Sequence, residues 1–266
     1  MKAQVVRVWG PETEVLEFGS GSPLLFLHSG FGPNIHSTDY LERLGTQFRV
    51  FAPFHPGFGR FPRPQSFRNV SDLAYFYLDL IEQWRLHDVV LVGAGFGGWI
   101  ASEMAVRTTE RLSRLVLASP LGIKVGTRDD RDFADFYSIS PDERAALEFN
   151  TPDYAKLSYD GKSEDELTVL ARGRESEAYY GWEPFMHNPQ LRQWLHRIHV
   201  PTLLVRGADD RIVARRNHDA YADEIPDCAI VTIEGAGHHP HLDAPAAFVS
   251  AVQSGSKIRK PSVVAI

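Results

Sequence analysis

Val89-Val90-Leu91-Val92-Gly93-Ala94-Gly95-Phe96-Gly97-Gly98-Trp99 decides the fold of this chain. Four consecutive Val/Leu residues predict a strand buried on both faces, and a glycine cluster then leads into a helical pattern over Trp99–Arg107. Strand, glycine turn and helix make the repeating unit of a helix-covered parallel sheet. Similar apolar runs lie on either side, at Pro23–Leu27, Phe48–Ala52, Leu115–Ala118, Thr202–Val205 and Ala229–Ile233. Two alternating segments, Val5–Val8 and Glu14–Phe18, predict an opening hairpin. Asn69–Trp84 places Leu73, Phe76, Leu80 and Trp84 on one helical face. Pro245–Gln253 is the last helical pattern, with Asp243 expected as its N-cap and Pro245 in its first turn. The class is α/β, with a mostly parallel sheet of about eight strands flanked by helices.

The alternation stops between Leu121 and His199. That stretch has few β-branched runs and carries aromatics at Phe133, Phe136, Tyr137, Tyr154, Tyr159, Tyr179, Tyr180 and Trp182. It predicts a mainly helical insertion. The expected division is a core at 1–120 and 200–253, a helical lid at 121–199, and a tail at 254–266 containing Lys257, Arg259 and Lys260. Residues 125–180 hold 14 acidic and 7 basic side chains, so the net charge of −6 over 266 residues arises in the insertion. That mild acidity argues against nucleic acid as the main partner. With 43% hydrophobic and 23% charged residues, the composition is that of a folded globular protein. The chain has no run of about 18 apolar residues and no apolar signal region in residues 1–10, so a cytoplasmic, membrane-free protein is expected. The single cysteine, Cys228, excludes an intrachain disulfide and a cysteine-based metal cluster. A small-molecule substrate is the expected partner, no cofactor or metal is expected, and a homo-oligomer stays open.

Chemistry-bearing residues collect where predicted strands end, the place at which open α/β sheets bind ligands. These are Leu27-His28-Ser29-Gly30-Phe31-Gly32, His55-Pro56-Gly57-Phe58-Gly59, the glycine cluster at Gly93–Gly98, Gly207-Ala208-Asp209-Asp210, and Gly237-His238-His239-Pro240. In this order the set resembles the α/β-hydrolase family over nearly the whole chain, from Val5 to about Val252. It is similar in particular to the lidded branch of meta-cleavage (carbon–carbon) hydrolases and small esterases. The resemblance implies an oxyanion hole built at Gly30 and Phe31 with Phe96, an acid at Asp210, and a base at His238. It also implies a nucleophile elbow, which here reads Gly93-Ala94-Gly95-Phe96-Gly97.

The elbow departs from the family at its central residue. Gly95 stands where the serine nucleophile belongs, and residues 92–99 contain no Ser, Cys, Asp or Thr to replace it. Glycine relaxes a strained turn, so folding gives no reason to keep an unused nucleophile. In a serine protease, removing the serine costs roughly 10⁶ in kcat, which makes ordinary acyl-enzyme chemistry unexpected here. His238 oriented by Asp210 still makes a general base. Ser29 and Ser119 are the nearest hydroxyls, and Trp99, Phe136, Tyr137, Trp182 and His239 complete the expected substrate-binding set. His28 is expected to brace the oxyanion loop, His55 to serve a turn, and Asp209 to lie on the loop surface. A metal reading of His238, His239 and His241 is disfavoured by Pro240 and by the tight spacing. The leading expectation is a hydrolase-type enzyme for a small apolar ester or carbon–carbon substrate. The alternatives are a cofactor-independent lyase or oxygenase with His238 as base, a non-catalytic ligand-binding relative, and a Ser→Gly inactivated variant.

Overall fold

The strands are β1 (Lys2–Arg7), β2 (Glu12–Phe18), β3 (Ser22–Leu27), β4 (Phe48–Pro53), β5 (Val89–Ala94), β6 (Leu112–Ala118), β7 (Thr202–Gly207) and β8 (Cys228–Ile233). They form one sheet in the order β1-β2-β4-β3-β5-β6-β7-β8. The structure is a computed structural model that describes residues 1–151, 154 and 161–254; Tyr159 and the expected tail beyond residue 254 lie outside the described residues. β1 and β2 form the expected antiparallel hairpin, and β2 also runs antiparallel to β4. The remaining pairings are parallel.

The helices are α1 (Asp39–Leu44), α2 (Val70–Gln83), α3 (Phe96–Arg107), α4 (Pro141–Glu148), α5 (Glu164–Gly181), α6 (Leu191–Trp194), α7 (Arg215–Glu224), α8 (Pro240–Asp243) and α9 (Pro245–Ser254). Asn69 caps α2 by accepting from the Asp72 N–H, and Ser140 and Ser163 do the same for α4 and α5 with Glu143 and Glu166. Each satisfies an N–H that a helix start leaves unpaired. Leu73, Phe76, Tyr77 and Leu80 give α2 its buried face.

All six residues of β5 are buried, as a strand covered on both faces requires. β3 pairs with β4 on one side and with β5 on the other. The chain therefore leaves β3 in one direction and returns to the opposite side, opening a crevice beyond the carboxyl ends of β3 and β5. Helix α3 begins directly against this crevice. A Cβ at Gly97 would stand 2.1 Å from the Leu27 carbonyl oxygen, so only glycine lets α3 approach β3 this closely.

Two expectations need correction. Ala229–Ile233 is not buried on both faces: Ala229, Ile230 and Val231 are half-buried and Thr232 is exposed, because β8 is the sheet edge beside β7. Asp243 does not cap the last helix; it closes α8. Its carboxylate instead accepts from the backbone N–H groups of Gly237, Asn150 and Thr151, at 2.8, 3.1 and 2.9 Å. The segment between β6 and β7 carries α4, α5 and α6.

Candidate active site

The turn from β5 into α3 is sharp and has one residue at its apex. Gly95 adopts φ +50° and ψ −111°, a conformation that penalises any residue with a Cβ. Its N–H donates to the Ala118 carbonyl at 2.8 Å, and its own carbonyl accepts from Gly98, Trp99 and Leu121 N–H groups. A Cβ built on Gly95 would lie 3.1 Å from His238 Nε2 and 3.4 Å from Ser29 Cβ. The apex therefore points at the imidazole, and the space before it is walled by Ser29.

His238 is buried on the loop that follows β8. Its backbone N–H donates to the Glu148 carbonyl at 3.0 Å, and its Nδ1–H donates to Asp210 Oδ2 at 3.1 Å. Asp210 Oδ1 accepts from the Ile212 and Val213 N–H groups at 2.9 and 3.0 Å. Burial alone would raise the Asp210 pKa, but the adjacent His238 and these N–H groups hold it well below the usual carboxylate range. Burial would likewise lower His238, yet Asp210, Glu148 and Glu177 together lift it above its ordinary value. His218 stands on another side of Asp210, its Nε2 3.6 Å from Oδ2, and burial lowers it to about 4. The nitrogen placed to exchange protons in front of Gly95 is thus Nε2 of His238.

The segment between β6 and β7 adds a charged cluster beside this dyad, where the Glu148 carbonyl accepts from the His238 N–H. Arg144 on α4 donates from Nε to Glu148 at 2.8 Å and from a terminal nitrogen to Glu177 Oε2 on α5 at 3.0 Å. All three side chains are buried. The guanidinium lies 4.5 Å from the Phe136 ring centre and 5.3 Å from that of Phe31. Glu177 turns its Oε1 onto Gly30, where a Cβ would stand 1.9 Å from that oxygen. A cavity of about 50 Å³ opens beside the cluster, lined by Phe31, His36, Arg144, Glu148, Phe149 and Tyr154.

Residues 24–251 match the alpha/beta hydrolase family. The chain belongs to that family. It is 28% identical over 225 residues to 2-hydroxy-6-oxo-2,4-heptadienoate hydrolase of Pseudomonas putida, covering 79% of this chain and 80% of that one. It is 29% identical over 262 residues to 2-hydroxymuconate semialdehyde hydrolase of a Pseudomonas species, covering 91% and 89%. Among solved structures, 2-hydroxy-6-oxo-6-phenylhexa-2,4-dienoate hydrolase from a Rhodococcus species superposes with a TM-score of 0.74 at 18% identity, over 97% of this chain and all of that one.

Within this α/β hydrolase, the elements expected at strand ends converge as follows. Gly30 and Ser29 follow β3, Gly95 and Phe96 follow β5, Ser119 follows β6, Asp210 follows β7 and His238 follows β8. Ser119 Oγ is buried without a hydrogen-bond partner. His28 does brace the loop: its Nδ1–H donates to the Ser29 carbonyl, and its Nε2 accepts from the His55 N–H at 2.9 Å. His55 is more than a turn residue, since it stacks on His28 at 3.7 Å, donates to its carbonyl and accepts from Tyr77. His239 is buried 4.8 Å from the His238 ring, with both ring nitrogens unpartnered and its pKa pushed well down by burial. Phe136 and Tyr137 reach the cluster through Arg144. Trp182 does not join them inside: it is 62% exposed at the end of α5, against the outer edge of Tyr137. Trp99 is buried in α3, bonds Glu103 and lines a second cavity with Tyr180 and Asn188. Among the described residues, no group of three or more His, Cys, Asp or Glu side chains is arranged to hold a metal ion. Nor is any helix there long and apolar enough to cross a membrane.

The sequence reading missed Glu177, Arg144, Glu148 and His218. Arg144 and Glu148 carry a local signal, the i,i+4 spacing of a helical ion pair. Glu177 carries none, because its partner is 33 residues away and on another helix.

Proposed function

We propose that this α/β hydrolase acts on a small, largely apolar ester or carbon–carbon substrate by acid–base chemistry, with no covalent enzyme intermediate. What most supports this reading is the aim of His238. Its Nε2 faces the place where a Gly95 side chain would begin, at 3.1 Å, while Asp210 holds the opposite nitrogen. An imidazole held in this way activates a water molecule where the family's serine would stand. The N–H groups of Phe31 and Phe96 are the donors assigned to the developing oxyanion, with Gly30 shaping the loop. Phe31, Phe136, Phe149 and Tyr154 supply apolar walls. The names of the two Pseudomonas relatives, hydrolases of small unsaturated acids or aldehydes, support a compact conjugated substrate.

The test is a panel of p-nitrophenyl esters and a conjugated dienone acid, run beside a serine-reactive fluorophosphonate. Slow turnover without labelling is expected, and His238→Ala should abolish it. Covalent labelling of the unaltered chain would point to Ser29 or Ser119 and overturn this reading. Glu177 favours a second reading, a cofactor-independent lyase, because its carboxylate stands beside the Gly30 loop and opposes negative charge there. An elimination needs no oxyanion at that loop, and a product formed without incorporation of solvent oxygen would identify it.

A further inference from the structure

Asp210 stands between two imidazoles that come from different elements. His238, on the loop after β8, donates from Nδ1 to Oδ2 at 3.1 Å, and His218, on α7, brings its Nε2 to 3.6 Å from the same oxygen. His218 is 1% exposed, and its Nε2 is buried with no hydrogen-bond partner. A polar atom buried in that way is costly to folding. At 3.6 Å the contact is too long for a normal hydrogen bond, yet it selects the tautomer of the ring. Burial keeps His218 neutral, with its pKa lowered to about 4, and a neutral imidazole carries a single N–H. On Nε2 that N–H presents a positive edge to the carboxylate. On Nδ1 it would leave a nitrogen lone pair facing the lone pairs of Oδ2, so the Nε2–H form is the one that fits.

The orientation of Asp210 does not need this contact, because the Ile212 and Val213 N–H groups hold Oδ1 and His238 holds Oδ2. What the contact changes is charge. Asp210, Glu148 and Glu177 all favour a protonated His238, and a protonated imidazole cannot take a proton from water. A carboxylate that shares its charge with a second N–H pulls less strongly on the first. We propose that His218 is a positioning residue for the base: its Nε2–H points at Asp210 Oδ2 and takes up part of the carboxylate charge, which leaves His238 free to accept a proton at neutral pH. This rests on the reading given under Proposed function, in which His238 is that base. His218 stays clear of the reacting atoms, since Asp210 holds Nδ1 of His238 whereas Gly95 faces Nε2. Asp210 and His218 also line a cavity of about 280 Å³ to which His238 does not contribute, so a change at His218 reaches the reaction through Asp210. The charged groups around His218 are Arg206 and Asp219, paired at 2.8 Å, with Arg215 and Glu234 at the cavity. Those acting on His238 from other elements are Glu148 on α4 and Glu177 on α5, both held by Arg144, while burial keeps His239 and His241 neutral.

Nitrogen-15 NMR of the histidines tests this without any substrate. In the unaltered chain at pH 7, His218 should be neutral with its proton on Nε2, and a proton on Nδ1 or a charged ring overturns the inference. His218→Leu removes the N–H, and the His238 midpoint should then rise by about one pH unit. His218→Phe, closer in shape to the imidazole, should give the same rise. His218→Gln, which carries an amide N–H in the place of Nε2, should bring the midpoint most of the way back. In p-nitrophenyl ester turnover the low-pH limb of kcat should move up with the midpoint, making turnover below it about tenfold slower, with KM unchanged. If the two apolar substitutions lower the melting temperature but leave the His238 midpoint unmoved, His218 only packs against Asp210 and the inference falls. It falls as well if His218→Gln shifts the midpoint as far as His218→Leu does. An unaltered chain that turns over no ester, or whose turnover survives His238→Ala, overturns the proposed function instead, and the tautomer and the midpoints still decide whether His218 acts on His238.

Discussion

Gly95→Ser inserts a side chain at the apex of the turn from β5 into α3, and the structure sets the size of the effect. The apex has φ +50° and ψ −111°, so a residue with a Cβ incurs backbone strain of about 1–3 kcal/mol there. The new Cβ would also meet His238 Nε2 at 3.1 Å and Ser29 Cβ at 3.4 Å, so the imidazole must retreat by a few tenths of an ångström. For a chain of this size each kcal/mol lowers Tm by about 2–4 °C, so a fall of several degrees is expected in thermal unfolding. The same substitution places a hydroxyl against His238 Nε2, and the imidazole will activate it. Fluorophosphonate labelling should appear in the substituted chain and be lost again in the double substitution with His238→Ala. Hydrolysis of a p-nitrophenyl ester should rise, with the roughly 10⁶-fold value of a serine nucleophile as the ceiling. An unchanged or raised Tm would refute the claim that the apex is strained for any residue other than glycine. Absence of labelling in a folded protein would refute the claim that the apex faces a working base.

Acid should destabilise the fold well above the carboxylate range. His28 and His241 are lowered to about 3, and His36 and His218 to about 4, by burial. Their folded values lie below the unfolded value of about 6.5, so the unfolded chain binds protons first as pH falls. The stability they contribute is present above about 6.5 and is lost below it, at about 1.4 kcal/mol per pH unit for each histidine. His238, raised above 6.5, contributes in the opposite sense and only partly offsets this. Urea unfolding midpoints should fall steadily from pH 7 to pH 5, and a flat profile would show that these imidazoles are not buried neutral. Gly97→Ala should destabilise by about 1–3 kcal/mol or more, because its Cβ meets the Leu27 carbonyl at 2.1 Å and must push α3 away from β3. Gly10→Ala makes a useful comparison for crowding, since its Cβ meets nothing within 4 Å and only its φ of +131° opposes it. Equal losses at the two positions would show that close packing at Gly97 is unimportant.

How much was legible in advance follows from how far each signal reaches along the chain. Val89–Gly98 carries its own instructions: a run of buried β residues, then glycines where the helix must approach the neighbouring strand. Asp210 and His238 were legible for the same reason, each lying in a short segment at the end of one strand. The Asp243 cap was misread because Asp before a Pro-led helix is a sound local signal, but the loops at Asn150 and Gly237 compete for the same carboxylate. Trp182 was placed inside by its aromaticity alone, whereas its position at the end of α5 leaves it at the surface.

By itself, then, the sequence determined the α/β architecture, the order of the strand-end segments, and the absence of a side chain at Gly95, since periodicity and glycine placement are local properties. Tertiary structure alone decided that the apex of Gly95 points at His238 Nε2, that His218 backs Asp210, and that Glu177 lies over Gly30 with Arg144 between it and Glu148. Arg144–Glu148 and Asp210–His218 lie only 4 and 8 positions apart, but the other contacts join residues from 33 to 147 positions apart. The contacts of Glu177 depend on how the segment between β6 and β7 packs on the ends of the strands, and no spacing within the chain encodes that.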